Sequence, residues 1–392
     1  MVSSFKILSK ILAPCFLVTL NSCLEPVTPE LNSTDLEPLL VIEGQITNEE
    51  GPFRVKLTTS IPVNVMYYPV PVLGADVLIY DDKVNIFILE GDQNGWYETA
   101  DKKLKAIPGS TYTLSVTTRE GIQYESTPVL MQEAPDIDSL YFEEVLNTRL
   151  EDNLAYDETW LNILLDSDDP GGMIKYWKFG FTETWEVNML TDSVPVAHSV
   201  DSPGITLENI SVSDEKKVCW VTKPSGSILI TSTANNPENR IKKFKIRSLG
   251  PGEDKLHVRY SILVKQTPVS KELYDFWKKL MDTNQNAGGI YEKIPAQVFG
   301  NIICCDDHSR ALGYFSASAI KEKRLFIDRT DHHVQTVSAY KGCVYFDYVM
   351  PPWVPKSYFG TESGTGIKVY CHADYCADCR AYGSNVRPDF WK

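Results

Sequence analysis

From Leu39 to about Leu130 apolar and polar side chains alternate with a period of two, the signature of half-buried strands. Arg54-Val55-Lys56-Leu57-Thr58 sets Val55 and Leu57 on one face, and Asp76-Val77-Leu78-Ile79-Tyr80 is apolar on both faces, as in a central strand. Asp81-Asp82 turns the chain into Val84-Asn85-Ile86-Phe87-Ile88-Leu89. Asn94-Gly95 predicts a two-residue hairpin turn, because both residues tolerate positive φ, and Trp96 and Tyr97 begin the returning strand. Tyr112, Leu114 and Val116 share the face of a further strand, which Glu120-Gly121 turns into Ile122-Gln123-Tyr124-Glu125. About seven short strands at this spacing predict an immunoglobulin-like β-sandwich over residues 39–133, held without a disulfide.

Ala134-Pro135-Asp136 reads as the boundary, since proline cannot donate to a ladder. A larger β-rich domain over 134–392 follows, with strands at Ser139 to Val145, Trp160 to Leu165, Ile174 to Thr184, Ser227 to Thr233, Leu256 to Lys265, Leu325 to Asp328 and Val344 to Val349. Its aromatic strands (Trp177, Phe179, Phe181, Trp185) predict the larger core, and Gly171-Gly172 is a turn between two of them. Residues 186–218 are polar and read as a long loop or decorated insertion, and Gly360 to Gly366 as a flexible loop. One segment changes period. Leu273, Phe276, Trp277, Leu280 and Met281 form the stripe of an amphipathic helix over 270–286, with Ser270 as its N-cap and Gly288-Gly289 soon after its end.

The first residues change the picture from fold to compartment. Lys6 and Lys10 precede a short apolar run, Ile11 to Leu20, and Leu20-Asn21-Ser22-Cys23 places a small residue before a cysteine. This order predicts a signal peptide over 1–22 and acylation of Cys23, as in bacterial lipoproteins. Several acyl chains on one residue make a stable anchor, at about 0.8 kcal/mol per buried methylene. Residues 23–38, broken by Pro26, Pro29 and Pro38 and poor in large apolar side chains, predict an extended lipidated tether. A formal net charge of −14 argues against nucleic acid and against electrostatic binding to anionic lipid.

Outside Cys15 and Cys23, the cysteines are Cys219, Cys304, Cys305, Cys343, Cys371, Cys376 and Cys379, and in an exported chain all read as a disulfide framework. The Cys371, Cys376 and Cys379 group staples the C-terminal tail to itself or to Cys343. An odd count leaves one thiol free or paired between chains, with either member of Cys304-Cys305 the candidate. The alternative is zinc, with His372 beside Cys371, although a single C-x2-C is a weak metal signal. Asp166-Ser167-Asp168-Asp169 suggests calcium but lacks the glycine and distal glutamate of an EF-hand, so an acidic turn is the plainer reading. His332-His333 has no third ligand in pattern and reads as a polar loop. No nucleophile elbow, zinc-protease helix, phosphate loop or dinucleotide fingerprint occurs, so no catalytic, cofactor or metal residue is assigned and the chain reads as non-enzymatic. The many Trp and Tyr residues suit sugar stacking as well as core packing.

Leu40-Val-Ile-Glu-Gly-Gln-Ile-Thr47, Tyr274-Asp-Phe-Trp277, Ala287-Gly-Gly-Ile290, Ala296-Gln-Val-Phe-Gly-Asn301 and Leu312-Gly-Tyr-Phe-Ser-Ala-Ser318, with Cys376-Ala-Asp-Cys379-Arg380 and Arg387-Pro-Asp-Phe-Trp391 at the end, form an ordered set. It resembles the Bacteroidetes outer-membrane lipoproteins catalogued as domain of unknown function 4249, over nearly the whole mature chain. The resemblance implies an outer-membrane location, often beside TonB-dependent receptors, and carries no catalytic residues. The expectation is a non-enzymatic accessory lipoprotein, anchored by Cys23 on either face of the outer membrane and associated with such a receptor. A surface glycan- or peptide-binding module is the alternative.

Overall fold

A computed structural model describes residues 38–60, 69–152, 154–189, 193–199, 205–285, 298–306, 310–342, 345–347, 358–363, 366–371 and 378–392, with backbone alone at 193–199, 205–210, 284–285, 341–342, 345–347, 358–363 and 366–371. The signal, Cys23 and nearly all of the tether lie outside the described residues.

The described chain is mostly strand. In order come β1 (Leu40–Thr47), β2 (Arg54–Thr59), β3 (Asp76–Asp81), β4 (Ile86–Gly91), β5 (Trp96–Thr99), β6 (Thr111–Thr117), β7 (Gln123–Ser126) and β8 (Val129–Leu130). Then follow β9 (Ser139–Glu151), β10 (Leu154–Asp168), β11 (Tyr176–Asn188), β12 (Ser193–Ser199), β13 (Ile205–Ser211), β14 (Val218–Pro224), β15 (Leu229–Ser232), β16 (Arg240–Leu249) and β17 (Arg259–Pro268). The helix α1 (Lys271–Gln285) precedes β18 (Phe299–Cys304), β19 (Arg310–Ser318), β20 (Lys321–Asp328), β21 (Tyr345–Asp347), β22 (Tyr358–Ser363) and β23 (Gly366–Cys371).

The first sheet runs β3-β4-β5-β2-β1-β19-β18-β7-β6, and β6 pairs back onto β3, giving a nine-stranded barrel-like ring with β8 as a short extension. The strand spacing over 39–133 suggests a sandwich made from that segment's own strands. The structure instead has one ring, and residues 299–318 supply two of its strands. Period-two alternation aims Ile42, Ile46, Val55, Leu57, Val77, Ile79, Leu114 and Val116 into one core, which Ile302, Phe315 and Ala317 complete from the late segment. β19 lies parallel to β1, from Val41 opposite Leu312 to Thr47 opposite Ser318. A parallel pair cannot be joined by a tight hairpin. Its crossover here is everything between residues 48 and 309, so the boundary at 134 marks an insertion into the ring rather than its end.

Most of a second region lies in that insertion: β16-β10-β9 form one sheet and β14-β11-β17 another, with β15 beside β11, and β20, from beyond the ring, completes the edge next to β17. The two share a core: Leu161, Ile163 and Leu165 of β10 and Ile241, Ile246 and Leu249 of β16 meet Trp177, Phe179 and Trp185 of β11 and Ile262 and Val264 of β17. The aromatic row predicted for this region does line its core. β13-β12-β22-β23-β21 make a further sheet. It revises two expectations, since residues read as loop in 186–218 and around Gly360 to Gly366 are strands. Each pairs first with its neighbour in sequence, β12 with β13 and β22 with β23, and a single pair, Val196 opposite Phe359, joins the two hairpins across the chain, a contact that local polarity could not reveal.

Local chemistry explains the turns. The Asp81 carboxylate accepts from the backbone N–H of Lys83 (2.9 Å) and Asn85 (2.8 Å), folding β3 back into β4. At the next turn only Gly95 takes positive φ (+78°), and Asp92 N–H donates to Trp96 O at 2.7 Å. The loop therefore has three residues rather than the two expected. The Asp92 carboxylate accepts from Asn94 and Trp96 N–H, each at 2.8 Å, and fixes this longer form. A Cβ on Gly95 would lie 2.5 Å from Leu57 O. In α1 the Ser270 hydroxyl accepts from Leu273 N–H at 3.2 Å, as its N-cap position predicts.

Candidate functional site

The helix joins the two regions. Its buried Leu273 and Phe276, with Val269, form a small core of their own. Tyr274 packs against Tyr176 of β11 at 5.1 Å between ring centroids, while Phe276 packs against Tyr314 of β19 at 5.2 Å. Trp277 lies under the Lys178 ammonium at 4.1 Å, and burial holds that lysine below its usual pKa.

Between α1 and the ring opens a groove of about 540 Å³. One wall is Val129 and Leu130 of β8, the other is the Ser270 to Lys279 face of α1, and Phe299 to Asn301 and Tyr314 close the end. Its position follows from an irregularity in the ring. The register of β18 on β19 shifts between Phe299 and Ile303. There the Asn301 side chain replaces a backbone rung: Nδ2 donates to Phe315 O and Oδ1 accepts from Phe315 N–H, both at 3.0 Å. Asn301 O accepts from Thr127 N–H at 2.8 Å, so β18 stays tied to the chain leaving β7 just before the groove begins. Close backbone contact makes the bulge fit. A Cβ on Gly300 would lie 1.7 Å from Gly313 O, and one on Gly313, at φ +90°, would lie 2.0 Å from Ile42 O.

The groove has an apolar floor and a rim of both signs. Phe276, Phe299, Leu130 and Ile303 supply the apolar surface, and Glu272, Asp275, Lys279 and Arg310 the rim. Lys271 holds Asp275 at 2.6 Å. Burial raises the Tyr314 hydroxyl above its ordinary pKa, which keeps it a proton donor at the floor. A groove that combines apolar and charged lining can receive a segment of another chain, its apolar side chains on the floor and its polar ones at the rim.

The residues singled out in the sequence lie elsewhere. Cys219 of β14 and Cys379 are bridged, with Cα atoms 5.5 Å apart, so the tail is stapled to β14 rather than to itself or to Cys343. Cys304 and Cys305, placed in the disulfide framework with either one as the candidate free thiol, are both free, the first buried and the second exposed. Adjacent residues at a strand end point apart, which separates them from each other. Partial burial and the Glu125 carboxylate raise the Cys305 thiol, lowering its thiolate fraction. Cys343 and Cys376 lie outside the described residues, and Cys371 is described by backbone only. Asp166, Asp168 and Asp169 serve separate ends: Asp166 accepts from Lys243 N–H (2.7 Å), Asp168 from Arg240 (3.1 Å) and Asp169 from Ile174 N–H (2.7 Å). His332 is buried beside Leu256 O, whereas His333 is exposed against Glu144, so the pair diverges. Among the described residues no three candidate metal ligands come together. Among the described residues the largest fully buried side chains are aromatic, Trp177, Tyr97, Tyr112 and Tyr260 among them.

Phe276, Gly300, Asn301 and Tyr314 of the groove lie within the blocks that carry the family resemblance, and sequence comparison agrees. Residues 24–324 match the family described as Domain of unknown function (DUF4249). The chain belongs to this family. The match takes in the whole ring and stops within β20, so Cys379 and Trp391, read as part of the family's ending, lie beyond it. No curated protein matches the chain.

Apart from the helix stripe and the Phe-Gly-Asn and Leu-Gly-Tyr-Phe blocks, nothing in the sequence pointed to the groove. Its two main walls, β8 and α1, are about 140 residues apart, and only the crossover brings them together.

Proposed function

We propose that this family member is a docking lipoprotein of the bacterial cell envelope, acylated at Cys23 and carried on the 23–38 tether, whose groove between α1 and the ring receives a segment of an outer-membrane receptor. The observation that carries the reading is the groove itself, an apolar floor with a two-signed rim at the junction of the two regions. The lipobox-like Leu20-Asn21-Ser22-Cys23 and the acidic composition support placement on a membrane through lipid rather than charge. In this reading the two facing sheets of the insertion act as a rigid β-sandwich that presents the groove, and the role is non-catalytic.

Two measurements test it. Cells fed an alkyne-bearing palmitate should label the wild-type protein and leave Cys23→Ala unlabelled and released from membranes; label on the variant sinks the anchor. A photo-crosslinker placed at the exposed Lys279 should trap a TonB-dependent receptor in intact envelopes, and Arg310→Glu should abolish the product. Crosslinking unchanged in Arg310→Glu would remove the groove from the reading.

A further inference from the structure

β9 and β10 continue well past the sheet they belong to. β16 pairs with β10 only from Leu161 to Asp168, whereas β9 and β10 remain paired out to Glu151 opposite Leu154. The outer seven pairs form a two-stranded ribbon, about 20 Å long at the usual rise per residue. Such a ribbon is marginal in water on its own. It is also not dressed as a solvated hairpin: Leu146 is 73% exposed, Leu150 76%, Leu154 59% and Tyr156 46%. Register assigns the faces. Leu146 and Leu150 extend the core-facing row of Leu140 and Phe142, while Leu154 and Tyr156 occupy the opposite side.

Charges along an edge are a common guard against unwanted pairing, and they account for the ribbon's carboxylates. They do not account for the leucines, because a guarded edge has no use for exposed aliphatic side chains. Exposed apolar surface between charges marks a contact surface. The sign of those charges selects the partner. Within residues 145–160 stand Glu151, Asp152, Asp157 and Glu158 against Arg149 alone. Arg149 is itself held by Glu151 at 2.6 Å and Glu158 at 3.4 Å. A second copy of the chain would set the same carboxylates against these, which disfavours a homodimer here.

We propose that the β9–β10 ribbon is a docking arm for a basic, apolar β-strand edge of another protein, added alongside the ribbon by backbone pairing, with its apolar side chains against the Leu146 and Leu150 face. The proposal rests on the docking reading above and gives the partner's chemistry at a second surface.

The test uses the purified chain and two labelled peptides of alternating valine, one with lysine and one with glutamate between the valines, read by fluorescence anisotropy. The lysine peptide should bind and the glutamate peptide should not. The Leu146→Asn/Leu150→Asn variant, whose net charge is unchanged, should bind the lysine peptide at least tenfold more weakly while keeping its thermal midpoint. Equal binding by variant and wild type would show attraction to an acidic surface only and overturn the arm. Absence of binding by the wild type would overturn it as well. So would a sedimenting dimer that the same double substitution dissolves, since the occupant would then be a second copy. None of these readouts involves Cys23 or Lys279, so failure of the arm is separate from failure of the anchor or the groove.

Discussion

The ring and the inserted pair of sheets have cores of similar composition but are held in different ways. In the ring the buried polar side chains are mostly hydroxyls, the buried Asp81 carboxylate serves only its own turn, and the demanding contacts are backbone on backbone, at Gly300 against Gly313 and Gly313 against Ile42. In the insertion the core row of β11 is interrupted by a charge. Glu183 sits between Phe181 and Trp185 and accepts from Lys255 (2.8 Å), the Tyr260 hydroxyl (2.8 Å) and Arg247 Nε (3.1 Å). Burial alone would raise the Glu183 carboxyl; Lys255, Arg247 and Tyr260 outweigh it and hold the group below its usual pKa. A ring closed by a distant segment has to be correct in its backbone, where no side chain can compensate. A pair of open sheets can be keyed together by a polar network, with a covalent staple holding the tail on one of them.

The sharpest way to break this contrast is at the seam. Gly313→Ala places a methyl where φ is +90° and Ile42 O is 2.0 Å away, so β1 and β19 must part. The expected loss is about 4 kcal/mol or more, at the far end for single substitutions. Urea unfolding followed by the fluorescence of Trp96, in the ring, should show it; a loss under about 1 kcal/mol would mean that the ring is not held at this crossing. Glu183→Ala is the counterpart in the insertion. It leaves the buried Tyr260 hydroxyl without its acceptor and Lys255 and Arg247 with only the more distant Glu253, at 3.9 and 3.6 Å, for an expected cost of about 3 kcal/mol. The sign with pH follows from the depressed carboxyl. Its contribution is complete above the ordinary value of 4.5 and is lost as pH falls through the lower folded value. Wild type should therefore lose stability on acidification below that point more steeply than Glu183→Ala, as thermal midpoints measured across the range would report.

The strands of the ring were legible because each carries its own alternation, and the helix because its stripe and Ser270 cap are local. The closure was not legible. Nothing in Arg310 to Ser318 states that its partner is β1, since a parallel pair leaves no turn between its members in sequence. Gly300, Asn301 and Gly313 stood out only as part of a family resemblance, and the structure supplies the reason for each. Glu183 carried no signal at all: in a sequence rich in acidic residues, a carboxylate at a core position looks like a solvated one until Lys255 and Arg247 are placed beside it. The bridge from Cys219 to Cys379 spans 160 residues, a pairing that spacing could not select.

That bridge gives the next comparison. The tail it fixes lies on the outer side of β14, β17 and β20. Trp391 Nε1 donates to Glu186 at 3.1 Å, the Arg259 guanidinium stands 4.8 Å from the Phe326 ring centroid, and Arg324 lies 3.5 Å from that of Phe390. Cys379→Ser should cost about 2–4 kcal/mol. The loss should fall on the insertion alone, since no contact of the tail reaches the ring in this set. Limited proteolysis should then cleave near Arg380 and Arg387 before any site within 40–130. Simultaneous cleavage in both regions would mean that the two unfold as one unit, and the contrast drawn between them would not extend to stability.

The smallest expected effect decides what joins the regions. Lys265 of β17 reaches Glu49, just after β1, at 2.6 Å, the shortest ion pair between them. Both side chains are more than a third exposed, so solvent screens the attraction and ordering two long side chains offsets much of it. Beside it, Asn48 exchanges two hydrogen bonds with Ile320, and Phe276 of α1 is buried against Tyr314. Glu49→Gln should shift stability by no more than about 0.5 kcal/mol, whereas truncating a buried aromatic such as Phe276 to alanine costs about 3–5 kcal/mol. The informative readout is the separation of the two unfolding transitions in a calorimetric scan. If α1 is the joint, Glu49→Gln leaves their spacing unchanged and Phe276→Ala moves them apart; a reversed result would place the joint at the ion pair and leave the helix as a lid on the ring.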